Sequence, residues 1–253
     1  MLAIEVRDLV KRYQGADGNA VDGISFDVPR GQLFCLLGPN GAGKTTTISV
    51  LTTVMTPTAG HVRVAGRDLA SRQSDIRRSI GIVFQQSALD ANLTAEENIR
   101  LHAVLYGLYP WRPLYRLMPP AYRQQVCDMA EILDITAALG RPVRSLSGGT
   151  RRKLEIVRAL LHQPQVLFLD EPTTGLDAHS RRGLWEYLAQ TRADYGTTIV
   201  LTTHYLEEAE TAHAVCVMAA GSILERGSPA EIKARHASPT LEAAYLAMLG
   251  SHG

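Results

Sequence analysis

Residues 33–47, Leu-Phe-Cys-Leu-Leu-Gly-Pro-Asn-Gly-Ala-Gly-Lys-Thr-Thr-Thr, constrain the chain more than any other stretch. An apolar strand breaks at Gly38 into a glycine-rich loop (Pro39, Asn40, Gly41, Ala42, Gly43), and the loop opens a helix carrying Lys44, Thr45 and Thr46. The spacing matches G-x-x-x-x-G-K-[ST], the phosphate-binding P-loop. Gly38, Gly41 and Gly43 let the backbone turn tightly, so that successive N–H groups point inward as an anion nest. The helix that follows adds its positive dipole end. Lys44 is then placed to reach the β- and γ-phosphates of a nucleotide, and the Thr45 hydroxyl to ligate the Mg²⁺ that bridges them.

A chain of 253 residues with 45% hydrophobic content can bury one sizeable core and a small second lobe. Its 26 basic and 25 acidic residues leave a net charge of +1, which argues against broad electrostatic attraction to nucleic acid or anionic membrane. Three cysteines, Cys35, Cys127 and Cys216, are odd in number and follow no motif, as expected of a reduced, cytoplasmic protein. No apolar run approaches the roughly 20 residues needed to span a bilayer, and neither a signal peptide nor a membrane anchor is expected.

Residues 2–33 alternate like β structure, clearest over 20–28, and are punctuated by turns at Gly15–Asn19 and Pro29–Gly31. A small, largely antiparallel β layer is predicted before the P-loop. Tyr13 precedes the first turn, where it is either an edge-strand aromatic or a face that stacks on a planar base. Strands are predicted at 61–65 and 80–84, the second ending on Gln85, by itself an ordinary solvated end. Thr94 and Glu97 form a capping box for a helix to about Tyr106; 109–120 reads as irregular, and 122–133 as an amphipathic helix.

Ser147 is the expected N-cap of a helix whose apolar residues recur at 154, 157 and 161 and at 156 and 160. Arg151, Arg152 and Lys153 oppose the dipole of that helix, which fits either a nearby anion or a solvated basic face. Val166–Leu169 is a continuous apolar run, as in a parallel strand buried on both faces, and it closes on Asp170 and Glu171. This is the Walker B pattern. Successive strand residues point to opposite sides, so one carboxylate should face Mg²⁺ and the other an attacking water. A loop with Asp177, a helix from Ser180 to about Gln190, and a buried strand over 197–203 ending at His204 follow. Ser228, Pro229 and Glu231 open a further helix.

With the P-loop, Leu146-Ser147-Gly148-Gly149, Asp170-Glu171 and His204 in order along one chain, the sequence resembles the nucleotide-binding subunit of an ATP-binding-cassette transporter. The resemblance covers nearly the whole length, and Leu-Ser-Gly-Gly is its discriminating piece, since a P-loop alone is shared by many NTPases. It implies an α/β P-loop NTPase fold of RecA-like type, a mixed sheet flanked by helices, with an antiparallel β layer and a helical signature subdomain. The implied division is 1–86 and 162–228 for the ATP-binding core, 87–161 for the helical subdomain and 229–253 for a C-terminal helical tail. It also implies ATP and Mg²⁺ as cofactors. Tyr13 resembles the adenine-stacking aromatic, and Gln85 the glutamine that meets Mg²⁺ and the attacking water. Glu171 resembles the catalytic glutamate, Asp170 the magnesium carboxylate acting through water, Asp177 the loop aspartate joining two sites, and His204 the switch histidine at the γ-phosphate. Ser147, Gly148 and Gly149 resemble the signature that reaches the nucleotide of a second, head-to-tail copy.

Thr150 departs from the family's usual glutamine, which bears on coupling between signature and switch. The run from Ser147 to Ile156 and the stretch 89–98 look closest to bacterial exporters of the daunorubicin-resistance and nodulation type. In those the permease is a separate chain, to which this one would be peripheral on the inner face of the membrane. No nucleic-acid partner is expected. A soluble cassette ATPase without a transport role is the rival reading; such proteins usually carry two cassettes or a long coiled coil. A P-loop phosphotransferase would not need the signature.

Overall fold

A computed structural model describes residues 1–250; the last three residues of the expected tail, 251–253, lie outside the described residues. The chain runs β1 (Leu2–Arg12), β2 (Asn19–Pro29), β3 (Leu33–Leu37), α1 (Lys44–Leu51), β4 (Ala59–Val64), β5 (Arg67–Asp68), α2 (Gln73–Ser79), β6 (Ile80–Val83), α3 (Ala95–Leu105), α4 (Pro120–Ile132) and α5 (Gly148–Leu160). It continues through β7 (Val166–Asp170), α6 (Ala178–Tyr195), β8 (Thr198–Thr203), α7 (Leu206–Glu210), β9 (Ala214–Ala219), β10 (Ser222–Gly227), α8 (Pro229–Arg235) and α9 (Leu241–Gly250).

Two sheets face each other. One is a six-stranded sheet in the order β10-β9-β3-β8-β7-β6, parallel except for the β10–β9 hairpin. The other is an antiparallel sheet in the order β2-β1-β4-β5, so the β layer predicted ahead of the P-loop also recruits strands that follow it.

Side-chain alternation divides the core between the two faces of the parallel sheet. Phe34, Leu36, Phe168, Val200, Cys216 and Met218 point towards the antiparallel layer, α1 and α2, where they meet Ile4, Val6, Phe26, Ile48 and Ile76. Phe26 and Phe34 stack across that gap with ring centroids 5.3 Å apart. Leu33, Cys35, Leu37, Leu167, Leu169, Ile199 and Leu201 point the other way, into a core shared with α3–α7. β3 and β7 are therefore buried at every residue, which is why both read as uninterrupted apolar runs.

The caps read from the sequence are present. Thr94 with Glu97 and Ser228 with Glu231 form complete capping boxes, and Ser147 accepts from Thr150 N. α4 begins earlier than expected, with Pro120 in its first turn, where a missing N–H costs nothing. α6 runs on to Tyr195 before Gly196, at φ 64, ends it. α2 and β5 had no sequence signal strong enough to predict them.

Candidate active site

Every loop that leaves the C-terminal end of a central parallel strand arrives at one edge of the sheet, the usual place for ligand chemistry in open α/β folds. β3 delivers Gly38, β6 Gln85, β7 Asp170 and Glu171, and β8 His204. At this edge lies a cleft of about 400 Å³ lined by Ala20, residues 40–46, Gln85 and Glu171.

The glycines of the loop act for different reasons. Gly43 has φ 98, and a Cβ there would come 2.5 Å from Ala20 O of the antiparallel layer. Gly38 is needed for a close approach rather than a turn, since a Cβ would meet Met218 O at 2.3 Å. The loop backbone thus lies pressed between both sheets. Lys44 is buried, and its Nζ donates to Gly38 O (2.7 Å) and Pro39 O (3.0 Å), arching over the loop. Burial pulls its pKa below the ordinary lysine value, and the charges of Glu171 and Asp170 act in the opposite direction.

Asp170 and Glu171 divide as alternation predicts. The buried Asp170 accepts from Thr45 Oγ1 (3.2 Å) and from the Thr202 hydroxyl, tying the P-loop helix to β7 and β8. Glu171 faces the cleft. Gln85 Nε2 donates to its Oε2 at 3.2 Å, Thr174 Oγ1 reaches the same oxygen at 3.4 Å, and His204 Nδ1 lies 3.3 Å from Oε1. Its backbone has φ 48, a left-handed conformation uncommon outside glycine and concentrated at functional sites.

Tyr13 comes to the P-loop helix: its hydroxyl is 3.1 Å from Thr46 Oγ1, and its ring stays partly exposed. Ser147, Gly148 and Gly149 lie apart from the residues that line the cleft. They form the open end of α5, with Gly149 against Leu176, the neighbour of Asp177. Asp177 caps α6, accepting from Ser180 N at 2.8 Å, and this hydrogen bond holds its carboxyl below the usual range.

Sequence reasoning missed Thr202, whose hydroxyl touches both carboxylate-bearing residues, and Arg152. The basic run at 151–153 is neither one anion site nor one solvated face: Arg151 is exposed, whereas Arg152 turns inward to backbone carbonyls of the β6 and β7 ends. The irregular stretch over 109–120 also divides. Tyr109 and Tyr115 pack edge-on against buried Tyr122, while Trp111 stays exposed. A larger groove, about 660 Å³, lies between α4 and the end of α6, and no lysine or arginine lines it to meet a phosphate.

Comparison with known proteins agrees with this geometry. A family model described as ABC transporter matches residues 21–174. The chain is 38% identical over 240 residues to the daunorubicin/doxorubicin resistance ATP-binding protein DrrA of Streptomyces peucetius, covering 94% of this chain and 69% of that protein. It is 40% identical over 230 residues to the Nod factor export ATP-binding protein I of Ralstonia nicotianae, covering 90% and 68%. A solved ATP-binding subunit of an ABC transporter superposes with a TM-score of 0.86 at 28% identity, covering 98% of this chain and 99% of the other. CbiO1 of Clostridium perfringens, described as part of the ABC transporter complex cbiONQ, gives 0.77 at 27% identity over 92% and 91%. With P-loop, paired carboxylates and signature helix in one chain, the protein belongs to the ABC transporter family, as an ATP-binding subunit with ATPase activity.

Proposed function

We propose that the cleft binds Mg-ATP, that two copies close head to tail around two nucleotides, and that hydrolysis drives a separate membrane permease in the direction of export. The observation that carries this reading is the convergence of Lys44, Thr45, Gln85 and Glu171 on one cleft, with Asp170 hydrogen-bonded to Thr45 behind it. The loop N–H groups and the Lys44 ammonium bind the phosphates, with Gly38 to Thr46 forming the cradle and Tyr13 stacking on the base. The donor set of Thr45 hydroxyl, Asp170 carboxylate and Gln85 amide oxygen suits Mg²⁺, which prefers hard oxygen ligands and commonly takes one or two carboxylates together with substrate phosphates. When bound, the ion supplies charge neutralisation for the phosphates.

Glu171 then takes the proton of the attacking water. Gln85 on one carboxylate oxygen and His204 beside the other fix its direction. The catalytic work is positioning and charge stabilisation, as elsewhere in phosphoryl transfer. Ser147 and Gly148, exposed at the open end of α5, and the half-buried Gly149 serve the nucleotide of the second copy, with Asp177 beside them. Export is inferred from the relatives' names, which speak of drug resistance and Nod factor export in those proteins. In this reading 1–86 and 162–228 are the ATP-binding core, 87–161 the helical subdomain and 229–253 the tail.

The permease docks on the stretch after Gln85, placing the subunit on the inner membrane face. Leu101, Leu105, Leu108, Trp111, Leu114 and Leu117 are all exposed there, more apolar surface than a self-contained lobe leaves in water. No helix among the described residues is long and apolar enough to cross a membrane.

Glu171→Gln tests the site and the dimer together. The amide keeps the shape of the side chain and cannot take a proton, so ATP binding should persist while hydrolysis falls about 100-fold or more. Size-exclusion chromatography of the variant in Mg-ATP should show a dimer; a monomer at saturating nucleotide would refute head-to-tail closure.

A further inference from the structure

The second turn of the signature helix carries a side chain that grips both strand ends flanking the cleft. Arg152 is 8% exposed, and each of its five N–H groups has an acceptor. Nε donates to Pro172 O at 3.0 Å. Nη1 donates to Phe84 O at 2.5 Å and Glu155 Oε2 at 3.1 Å, and Nη2 to Asp170 O at 2.6 Å and Glu171 O at 3.0 Å. Glu155, 4% exposed, uses its other oxygen to accept from Ala88 N at 3.2 Å. Arg158, one turn further on, donates to Ala88 O at 2.7 Å.

One stripe of α5 therefore holds the backbone at both ends of 84–88, which carries Gln85, and the backbone of 170–172, which carries Glu171. A buried cation needs a partner, and Glu155 alone would supply it. The four carbonyls require a different explanation. They come from two separate loops, and one belongs to Glu171, whose left-handed backbone persists only where its surroundings fix it. Its N–H is held by Thr202 O and Oγ1, each at 3.1 Å, and its carbonyl by Arg152.

We propose that Arg152 is a positioning residue for hydrolysis. It locks the backbones of Gln85 and Glu171 to the helix that opens on Ser147–Gly149, so that a shift of the signature helix reaches the catalytic carboxylate through one guanidinium. This rests on the roles proposed above for Gln85 and Glu171. It assigns to Arg152 an effect on turnover rather than on nucleotide affinity.

The test uses the full chain with Arg152→Gln, Arg152→Lys and Glu155→Gln, measuring kcat and KM for Mg-ATP and amide hydrogen exchange. Arg152→Gln should lower kcat at least tenfold with KM within threefold. Arg152→Lys, with three donors for five acceptors, should fall between it and the native protein. Amides at 85–88 and 173–174 should exchange at least tenfold faster while those of β3 and β8 keep their protection. A kcat within twofold of the native value, or exchange accelerated uniformly across the sheet, overturns the proposal and leaves Arg152 a fold-stabilising residue. Should Arg152→Gln not fold, Arg152→Lys and Glu155→Gln decide by the same criteria. Native turnover in Glu171→Gln would instead remove the catalytic role proposed for Glu171, and the local exchange would still decide whether Arg152 holds that backbone.

Discussion

Thr202→Val deletes one hydroxyl from a fully buried residue while keeping its β-branched shape, so the change is almost purely polar. The lost group donates to Asp170 Oδ1 and accepts from Glu171 N at 3.1 Å. Glu171 N keeps Thr202 O, also at 3.1 Å, and loses little. Asp170, equally buried, is left with the Thr45 hydroxyl at 3.2 Å. A hydrogen bond to a charged acceptor contributes about 1.5–3 kcal/mol, and a central figure of about 2 kcal/mol is expected here. For a chain of this size that lowers Tm by about 4–8 °C. Scanning calorimetry without nucleotide reads it, and a double-mutant cycle with Asp170→Asn identifies the cause. Against the neutral amide the valine should cost no more than about 1 kcal/mol, the ordinary scale of an uncharged hydrogen bond. A Tm within 1 °C of native, or a cycle in which the two changes simply add, refutes the idea that this hydroxyl supports the carboxylate's charge.

A cysteine at Trp111, 60% exposed, should cross-link to a cytoplasmic loop of the co-expressed permease without altering isolated ATPase activity; co-purification without any cross-link would place docking elsewhere. His102, half-buried against Tyr106 and His162, has its pKa lowered to about 3, first by burial and then by the charges of His162 and Arg158. It stays neutral in the fold and takes up a proton in the unfolded chain near its ordinary pKa, about 6.5, so its effect is absent well above that pH and native stability falls as pH drops below it. Between pH 7 and 5 the ceiling is about 2 kcal/mol, and urea titrations of His102→Leu should show a correspondingly flatter loss. Equal pH slopes in the two proteins would contradict this.

What was legible in the sequence follows from what a parallel sheet requires. Each central strand is buried on both faces, so β3, β7 and β8 appear as apolar runs, and each run stops where the backbone reaches the functional edge. Lys44, Asp170 and Glu171 follow such stops within motifs that are legible without knowing which strands are neighbours, whereas Gln85 and His204, also past strand ends, read by themselves as ordinary polar residues and took roles only from the family resemblance. Thr202 could be found in neither way. It matters only because β8 lies between β3 and β7 and pairs Thr202 with Asp170, and lateral strand order leaves no trace in local periodicity. α2 and β5 were missed because seven and two residues carry too little pattern.

Arg152 is an instructive intermediate case. It stands four and seven residues before the buried Ile156 and Ala159, but Lys153 stands equally four and seven before the buried Val157 and Leu160, so helical spacing alone does not single out the arginine. The tyrosines at 109 and 115 show the same limit in irregular chain, where no period separates the side chains that pack on Tyr122 from Trp111, which does not. Composition says that such a segment holds apolar surface, and only tertiary packing decides which part stays exposed. The same asymmetry governs the site. Groups that would touch the nucleotide sit at strand ends, which the chain's own polarity reveals. Groups that hold those strand ends in place, Thr202 and Arg152, are buried polar residues that their sequence neighbours do not mark out. Their meaning lies wholly in the partners that satisfy them.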